Sequence, residues 1–161
     1  MTAPPYTLRP ATESDLDALY ELHRQAMGGY ITETWGPWNE AVQRPFFQAR
    51  LERGLLQVVE VGRALAGILE LDDRFSPARV ENIELAPDFQ NRGIGTALLR
   101  DVMDSAAGRG VEVHLQVLKV NPAARLYRRL GFVANGETDT HFQLRWPGEV
   151  PESGGVVVPE S

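Results

Sequence analysis

The most constraining feature of this sequence is the segment Ala86–Thr96, which joins a predicted strand to a predicted helix through two closely spaced glycines. Gly93 and Gly95 allow a tight backbone turn, and they let a ligand approach main-chain N–H groups without meeting a Cβ atom. Apolar residues at helical intervals follow, so the helix aims its unpaired N-terminal N–H groups and its positive dipole end at that ligand. The segment therefore predicts an anion site, and phosphate is the expected anion.

Two common phosphate-binding motifs do not fit this segment. A mononucleotide P-loop ends in Gly-Lys-Ser or Gly-Lys-Thr, whereas Gly95 is followed by Thr96 and Ala97, so the phosphate-contacting lysine is missing. A dinucleotide fingerprint needs a third glycine where Leu98 stands, and it usually opens near the first strand of its unit. ATP and NAD are therefore disfavoured. The remaining alternative is a helix start whose glycines only form a turn.

A second segment, residues 120–132, predicts a short helix with defined ends. Asn121 suits the N-cap, Pro122 suits the first helical position, and Gly131 suits the residue just past the last turn. Leu126 and Leu130 lie four residues apart, so we expect both to face the core. The tyrosine between them lies alongside, with a phenolic tip that can reach a polar partner.

Together, Gln90-x-x-Gly93-x-Gly95 and the run from Asn121 through Tyr127 to Gly131-Phe132 closely resemble the acyl-CoA-binding and catalytic signatures of the GNAT superfamily of N-acyltransferases. Two motifs in the right order are more specific than either alone, and a weaker resemblance extends over residues 6–146. The resemblance implies an α/β fold whose mixed, mostly antiparallel central sheet of six to seven strands is flanked by about four helices. It also implies acetyl-CoA as the cofactor, with coenzyme A as the product.

The resemblance further implies a set of cofactor-binding residues along the strand, the loop and the second helix. These are Ile83, Leu85, Gln90, Asn91, Arg92, Gly93, Ile94, Gly95, Thr96, Asn121 and Ala124. Gln90 either orients the loop or touches the ligand, and Arg92 adds positive charge near the phosphates. Asn121 stands six residues before Tyr127, whereas many relatives place the asparagine seven before.

The reaction implied is direct attack of an amine on the CoA thioester. A lysine-like amine, with a pKa of about 10.4, costs roughly 4.6 kcal/mol to deprotonate at pH 7, so a nearby base would help. Glu81 and Glu84 precede the loop on the predicted strand, where strict alternation puts them on opposite faces. At most one then faces the acyl group, and a bulge, common in the family's corresponding strand, reverses the assignment. Both stay candidates for the base, against the alternative that they only solvate a surface.

Tyr127 matches the family's proposed general acid for the departing sulfur. A phenol, with a pKa of about 10, is less acidic than a thiol at about 8.5, so complete proton transfer to the thiolate is uphill by roughly 2 kcal/mol. We therefore expect Tyr127 to stabilise the developing thiolate by a hydrogen bond. A preorganised main-chain N–H near Leu85 is the oxyanion donor that the resemblance implies. The alternative for Tyr127 is a core residue with a satisfied hydroxyl group.

The acceptor pocket is expected in the segment 30–38, which joins the first two predicted helices, because relatives often build that pocket there. Tyr30, Trp35 and Trp38 are the candidate substrate-binding residues, although large aromatic residues equally often close a core. Relatives that acetylate protein N termini often carry a carboxylate at the strand position of Gln116, and an amide cannot serve as that base. A small-molecule amine is therefore preferred to a peptide N terminus or lysine. A noncatalytic acyl-CoA-binding regulatory domain is the third alternative.

Composition limits the remaining functions. Sixteen basic against 22 acidic side chains give a net charge of −6, which opposes nucleic-acid binding. Met1–Pro5 shows no apolar signal region, and no apolar run approaches the roughly 20 residues that cross a bilayer, so we expect a cytoplasmic protein without membrane contact. The absence of cysteine excludes disulfides and an acyl-cysteine intermediate in this chain. His23, His114 and His141 lack metal-ligand spacing, so no metal is expected.

The predicted elements alternate between strand and helix. Strands are predicted at residues 6–9, 55–61, 64–71, 80–85, 113–118, 132–134 and 140–146. The first helix starts at a capping box of Thr12 and Asp15 and ends at Gly28-Gly29. The second runs from near Asn39 toward Arg53 and is broken or kinked at Pro45.

Length and composition predict the domain organisation. A chain of 161 residues that is 43% hydrophobic suggests one domain with a substantial core. Residues 1–146 are predicted to form this single domain, and residues 147–161, rich in proline, glycine and glutamate, a flexible tail. Because similar proteins frequently form homodimers, we expect a homodimer.

Overall fold

The computed structural model describes residues 2–148, which form strands and helices in alternation. The strands are β1 (Thr7–Pro10), β2 (Leu56–Val61), β3 (Ala64–Asp72), β4 (Ala78–Leu85), β5 (Val113–Leu118), β6 (Val133–Glu137) and β7 (His141–Trp146). The helices are α1 (Leu16–Trp35), α2 (Glu40–Glu52), α3 (Ile94–Arg109) and α4 (Ala123–Arg129), with short 3-10 turns at Glu13–Asp15 and Pro87–Phe89. Most predicted strand positions agree with these bounds to within about two residues.

The seven strands form one mixed sheet in the order β1-β2-β3-β4-β5-β7-β6. Every neighbouring pair is antiparallel except β4 and β5, which confirms the expected fold. The parallel pair is short, because only Ala78–Val80 pairs with Val113–Leu115 before the two strands separate. This separation opens the middle of the sheet toward the carboxyl ends of β4 and β5.

A β-bulge interrupts β4 where that separation begins. Leu71 of β3 pairs with Val80, and the next residue back, Glu70, pairs with Asn82, so Glu81 is the extra residue. A bulge shifts the alternation of side chains beyond it. The side chains of Glu81 and Glu84 are therefore not bound to opposite faces of the sheet by strict alternation. This is the case expected from the sequence for a bulged strand.

Helix α1 is longer than the sequence predicted. It continues through Gly28 and Gly29 for a total of 20 residues, so the expected end at these glycines is wrong. A glycine inside a helix costs only about 1 kcal/mol relative to alanine. Tertiary packing outweighs that cost, because Ile31 is buried and the ring of Trp38 lies about 3.9 Å from where a Cβ of Gly28 would be.

Helix α2 begins as predicted but is not broken at Pro45. The Asn39 side chain accepts a hydrogen bond of 3.0 Å from the N–H of Ala41, which caps the helix. Pro45 lies inside the helix and removes one N–H donor, yet the helix continues to Glu52. Burial of Phe47 and Leu51 beyond the proline holds the second half in place.

Two buried layers cover the two faces of the sheet. On the α3 side the core contains Val59, Ala66, Leu69, Val80, Ile94, Leu98, Leu99, Val102, Met103, Ala106, Val113, Leu115, Val117, Ala124, Phe132, Leu144 and Trp146. On the α1–α2 side it contains Leu19, Tyr20, Leu22, Phe47, Leu51, Leu56, Val58 and Ile68. In α4, Leu130 packs against the first core as predicted, whereas Leu126 is only half-buried and Ala124 takes the fully buried position.

The C-terminal tail predicted for residues 147–161 lies almost entirely outside the described residues, which end at Gly148. None of the helices within residues 2–148 has the length and apolar character that a membrane span requires.

Candidate active site

The loop before α3 has the geometry of an anion site. Gly93 occupies the N-cap position in the left-handed region, with φ of 84°, and Asn91 is also left-handed, with φ of 60°. Among residues 2–148 no side chain caps the helix, and its first intrahelical bond runs from the N–H of Ala97 to the carbonyl of Gly93. Within that range the N–H groups of Ile94, Gly95 and Thr96 are therefore free for a ligand. This uncapped terminus fits a pyrophosphate.

Side chains on either side of the loop fix its shape. The Gln90 amide donates a hydrogen bond of 2.9 Å to the carbonyl of Leu85, across the turn that links β4 to the loop. Arg92 packs its guanidinium over the ring of Phe89, 5.2 Å from the ring centroid. Both contacts stay within the loop, so Gln90 orients the backbone that carries the free N–H groups.

A cleft of about 580 Å³ opens where β4 and β5 separate. Strands β4 and β5 form one wall, helices α1 and α2 the other, and the start of α4 closes one end. Its lining residues are His23, Met27, Ile31, Trp35, Val42, Gln43, Phe46, Phe47, Arg50, Arg53, Glu70, Val80, Glu81, Asn82, Ile83, Leu115, Gln116, Val117, Leu118, Asn121, Tyr127 and His141. The cleft therefore brings together β4 residues, Asn121 and Tyr127 of the second predicted motif, and side chains from α1 and α2, whereas residues 90–96 of the first motif do not line it.

Tyr127 reaches the cleft from α4. Its ring lies 6.2 Å from that of Phe132, and its hydroxyl group has no hydrogen-bond partner among residues 2–148. Burial raises the pKa of Tyr127 to about 12. The phenol therefore stays protonated over the physiological range and can donate a hydrogen bond into the cleft.

The two candidate carboxylates have different surroundings. Glu81, at the bulge, lines the cleft and is half-buried. Glu84 is 2% exposed and lies beneath α1 and α2, where Oε1 meets Nδ1 of His23 at 2.9 Å and Oε2 accepts from Arg50 at 3.2 Å. Burial opposes the ionisation of Glu84, but the Arg50 guanidinium and the His23 contact outweigh it and keep the pKa of Glu84 below its usual range.

These contacts belong to a buried ion cluster, which we define as His23, Arg50, Glu70 and Glu84. Arg50 joins the two carboxylates, because its Nε also donates to Oε1 of Glu70 at 3.0 Å and its Nη2 forms an ion pair with the same oxygen at 2.9 Å. Nδ2 of Asn82 donates to the same oxygen at 2.9 Å. The ring of His23 stacks on Phe47, with centroids 5.1 Å apart. The cluster thus ties α1, α2, β3 and β4 together under the cleft.

Only one of the three predicted acceptor residues lines the cleft. Trp35 is 60% exposed and stands at the cleft mouth, near His141. Trp38 instead packs in the α1–α2 core, and its indole N–H donates to the Tyr20 hydroxyl at 3.2 Å. Tyr30 lies on another side of α1, because the unbroken helix turns Met27, Ile31 and Trp35 toward the cleft at four-residue intervals. The expected roles of Tyr30 and Trp38 are therefore not supported.

The remaining predicted residues surround the same region. Asn121 lines the cleft, and its side chain accepts from the N–H of Ala123 at 2.9 Å, which caps α4. Ala124 is buried below it, and Ile83 and Leu85 lie half-buried along β4.

Burial lowers the pKa of His141, so its imidazole is neutral at pH 7. Within the described range, no group of three or more potential ligands could hold a metal ion.

The structure also shows residues that the sequence argument missed. Gly67 of β3 lies so close to β4 that a Cβ there would come within 2.4 Å of the Glu84 carbonyl oxygen. An isolated glycine inside a strand is a signal for such close approach. The buried charges of Arg50 and Glu70 carried a weaker signal, because each interrupts an otherwise apolar face of its element.

Comparison with known proteins agrees with this fold. A model of the acetyltransferase (GNAT) family matches residues 16–132. An uncharacterized N-acetyltransferase of Methanocaldococcus jannaschii is 33% identical over 141 residues, which are 79% of this chain and 60% of that protein. The ribosomal protein bS18-alanine N-acetyltransferase of Salmonella typhimurium is 31% identical over 128 residues, 78% of this chain and 80% of that enzyme.

Solved structures show the same fold. The PaiA N-acetyltransferase of Thermoplasma acidophilum, solved with coenzyme A, superposes with a TM-score of 0.67 at 19% identity, over 88% of this chain and 98% of that one. The chain belongs to the GNAT acetyltransferase family. Acetyl-CoA-dependent N-acetyl transfer is the activity of this family, and the chain spans 60% of the archaeal relative's length.

Proposed function

We propose that this protein acetylates the primary amine of a small molecule, by direct attack on acetyl-CoA in a ternary complex. The observation that carries the proposal is that Glu81 and Tyr127 line one cleft where β4 and β5 separate. The cleft volume of about 580 Å³ lies in the range of small-molecule sites, which is roughly 300–1,000 Å³. Exposed apolar side chains of Trp35, Val42 and Phe46 line its mouth, so an acceptor with an apolar body fits it.

Residues 90–96, together with Ile83, Leu85, Asn121 and Ala124, are the proposed binding site for acetyl-CoA. The free N–H groups at the start of α3 hold the pyrophosphate, and the loop is kept in shape by Gln90. When bound, acetyl-CoA supplies the activated acyl group as a thioester. A main-chain N–H of β4 near Leu85 is the proposed donor to the developing oxyanion.

Glu81 is the proposed base that takes the proton from the acceptor amine. It lines the cleft at the bulge, directly before the residues that lead to the cofactor loop. Glu84, the other predicted candidate, is unsuited to this role because His23 and Arg50 occupy its two oxygens. We assign Glu84 to the stability of the acceptor side instead.

Tyr127 is the proposed hydrogen-bond donor to the departing sulfur. With its pKa at about 12 and a thiol pKa of about 8.5, complete proton transfer to the thiolate would be uphill by roughly 5 kcal/mol. A hydrogen bond stabilises the thiolate charge without that transfer. The burial that raises the pKa therefore favours donation of a hydrogen bond over release of the proton.

A protein N terminus is the second candidate acceptor. Similarity to the bS18-alanine enzyme supports this candidate, because this chain covers 80% of that enzyme's length. It covers only 60% of the archaeal relative's length. An α-amino group has a pKa of about 7.7–8.0, so its deprotonation at pH 7 costs only about 1 kcal/mol. Such an acceptor needs far less help from a base than a lysine-like amine. Gln116, where a carboxylate would serve N-terminal acetylation, favours the small molecule.

A thiol-release screen tests the proposal. Purified full-length protein is mixed with acetyl-CoA and a panel of alkyl and aryl amines, and in parallel with peptides that carry a free N-terminal alanine. Turnover of amines at least about tenfold above that of the peptides, in kcat/KM, is expected. Faster turnover of the peptides would replace the small-molecule proposal with the N-terminal one. Absence of acceptor-stimulated thiol release across both panels would contradict the proposed reaction.

Variants test the two proposed catalytic residues. Tyr127→Phe should lower kcat by about 10- to 100-fold with little change in the KM for acetyl-CoA, and Tyr30→Phe is the matched control outside the cleft. Glu81→Gln should flatten the rise of kcat/KM with pH, whereas His141→Gln should leave it in place. If the rise is instead lost in His141→Gln and kept in Glu81→Gln, the neutral imidazole of His141 is the base.

A cytoplasmic location and a homodimer remain accompanying proposals. Equilibrium sedimentation at micromolar concentration tests the second, and a single monomer mass would contradict it.

A further inference from the structure

The buried ion cluster leaves one strong hydrogen-bond acceptor unused. Glu70 is 1% exposed, and its Oε1 atom accepts hydrogen bonds from Nε of Arg50 and Nδ2 of Asn82 and forms an ion pair with Nη2 of Arg50. Its Oε2 atom is buried and receives no hydrogen bond within the described part of the chain. A buried acceptor without a donor is rare in folded proteins and calls for an explanation.

The position of Glu70 indicates what could supply the missing donor. Glu70 lines the cleft from β3, beside Asn82 and next to the proposed base Glu81 at the bulge of β4. Nη1 of Arg53 lies 3.7 Å from Oε2, which is beyond hydrogen-bonding distance. The Arg53 side chain is 53% exposed at the cleft, so it can move into solvent when a ligand approaches.

We propose that Oε2 of Glu70 accepts a hydrogen bond from the ammonium group of the acceptor, an inference that rests on the proposed function. Glu70 is thereby a specificity residue that selects cationic acceptors over neutral ones of the same shape. The two hydrogen bonds and the ion pair on Oε1 hold the carboxylate in place, so little further ordering is needed when the ammonium binds. Arg53 opposes binding, because its positive charge lies close to the same oxygen.

A pair of isosteric probes tests this inference by binding alone. Phenethylamine is protonated at pH 7, and 2-phenylethanol has the same apolar body without the charge. Both suit a cleft whose mouth carries Trp35, Val42 and Phe46. Their affinities are measured by NMR titration of the full-length protein saturated with coenzyme A. The wild type should bind the amine about 10- to 100-fold more tightly than the alcohol.

Three variants separate a binding role from a structural one. Glu70→Gln keeps the shape but places either a neutral oxygen or an N–H donor at the second position, so the preference for the amine should fall to within about twofold. Arg53→Gln should strengthen the preference by about two- to threefold, because it removes the competing cation. Glu60→Gln, on neighbouring β2 and outside the cleft, should leave it unchanged.

The outcomes decide the inference as follows. Equal or undetectable binding of the two probes to the wild type would overturn it, and so would a preference that survives in folded Glu70→Gln. If Glu70→Gln does not fold, Arg53→Gln decides, because an unchanged or weaker amine preference there would show that Arg53 does not compete with the ammonium for Oε2, which would overturn the inference. A preference for the amine without turnover of any acceptor would leave the role of Glu70 intact and contradict only the proposed reaction.

Discussion

The two faces of the sheet are built from different chemical groups. On the α3 face the buried residues are apolar, and the predicted binding groups are main-chain N–H groups at a glycine-rich helix start. On the α1–α2 face four ionisable side chains are buried, and they form hydrogen bonds across four elements. The cofactor side therefore depends on backbone conformation, and the acceptor side depends on the placement of charges.

This difference has a functional reason. Every acetyl-CoA-dependent enzyme of the fold binds the same cofactor, and main-chain groups provide a site that few side-chain changes alter. Acceptors differ in charge and shape, so a site for them needs side chains. Strand β4 connects the two kinds of site, because its residues 80–83 line the cleft and its end at Leu85 leads into the loop before α3.

The largest expected effect comes from disrupting the buried ion cluster on the α1–α2 face. Arg50→Ala leaves Glu70 and Glu84 buried without their shared cation, which should lower the free energy of unfolding by about 3–5 kcal/mol. Urea denaturation at pH 7 measures the loss. Arg24→Ala, which removes an exposed ion pair with Glu21, is the control and should cost less than about 1 kcal/mol. Similar small losses in both variants would contradict a stabilising role for the cluster.

The next effect tests the backbone on which the cofactor side depends. Gly67→Ala would place a methyl group against the carbonyl of Glu84, so β3 and β4 must move apart. We expect a loss of about 1–3 kcal/mol in stability together with weaker binding of acetyl-CoA, measured by calorimetry. Unchanged binding in a folded variant would show that the end of β4 does not set the geometry of the cofactor loop.

A smaller effect appears in acid and concerns Glu84. Because its pKa is lowered in the folded state, its contribution to stability is complete above its unfolded value near 4.5 and is lost as the pH falls toward the folded pKa. Glu84→Gln should therefore show a shallower loss of stability below pH 4.5 than the wild type. Denaturation curves at several pH values measure the slope, and identical slopes would contradict the ionised state of Glu84.

The smallest expected effect is a gain. Gly29 lies inside α1 with no atom near its missing Cβ, so Gly29→Ala should stabilise the protein by up to about 1 kcal/mol. The same substitution thus has opposite signs at Gly29 and Gly67. Thermal melting of both variants measures the contrast, and a loss at Gly29 would show that the helix needs flexibility there.

The sequence was sufficient for the features that depend on local backbone geometry. Asn39 at the start of α2 and Gly93 at the start of α3 each lie where a cap or a left-handed residue is required, and each was predicted in place. The end of α1 was wrong because local propensity at Gly28-Gly29 is weaker than the packing of Ile31 and Trp38.

The acceptor side could not be predicted to the same extent. The ion cluster joins residues that are 20 to 61 positions apart in the sequence, and no local pattern fixes such pairings. Glu81 and Glu84 could not be separated either, because the bulge that decides their faces depends on pairing with β3. The sequence also could not show that Tyr30 and Trp38 do not line the cleft, because this depends on the unbroken course of α1 for Tyr30 and on packing in the α1–α2 core for Trp38.

The continuity of α1 has a consequence for how acceptor preference could change. Met27, Ile31 and Trp35 form one row along a rigid cylinder, so their directions are coupled. Insertion of a single residue after Gly29 would rotate everything beyond it by about 100°, moving Ile31 and Trp35 off the row while Met27 stays. Insertion of a single codon could thus change which side chains of α1 line the cleft, and it would leave the loop before α3 unchanged.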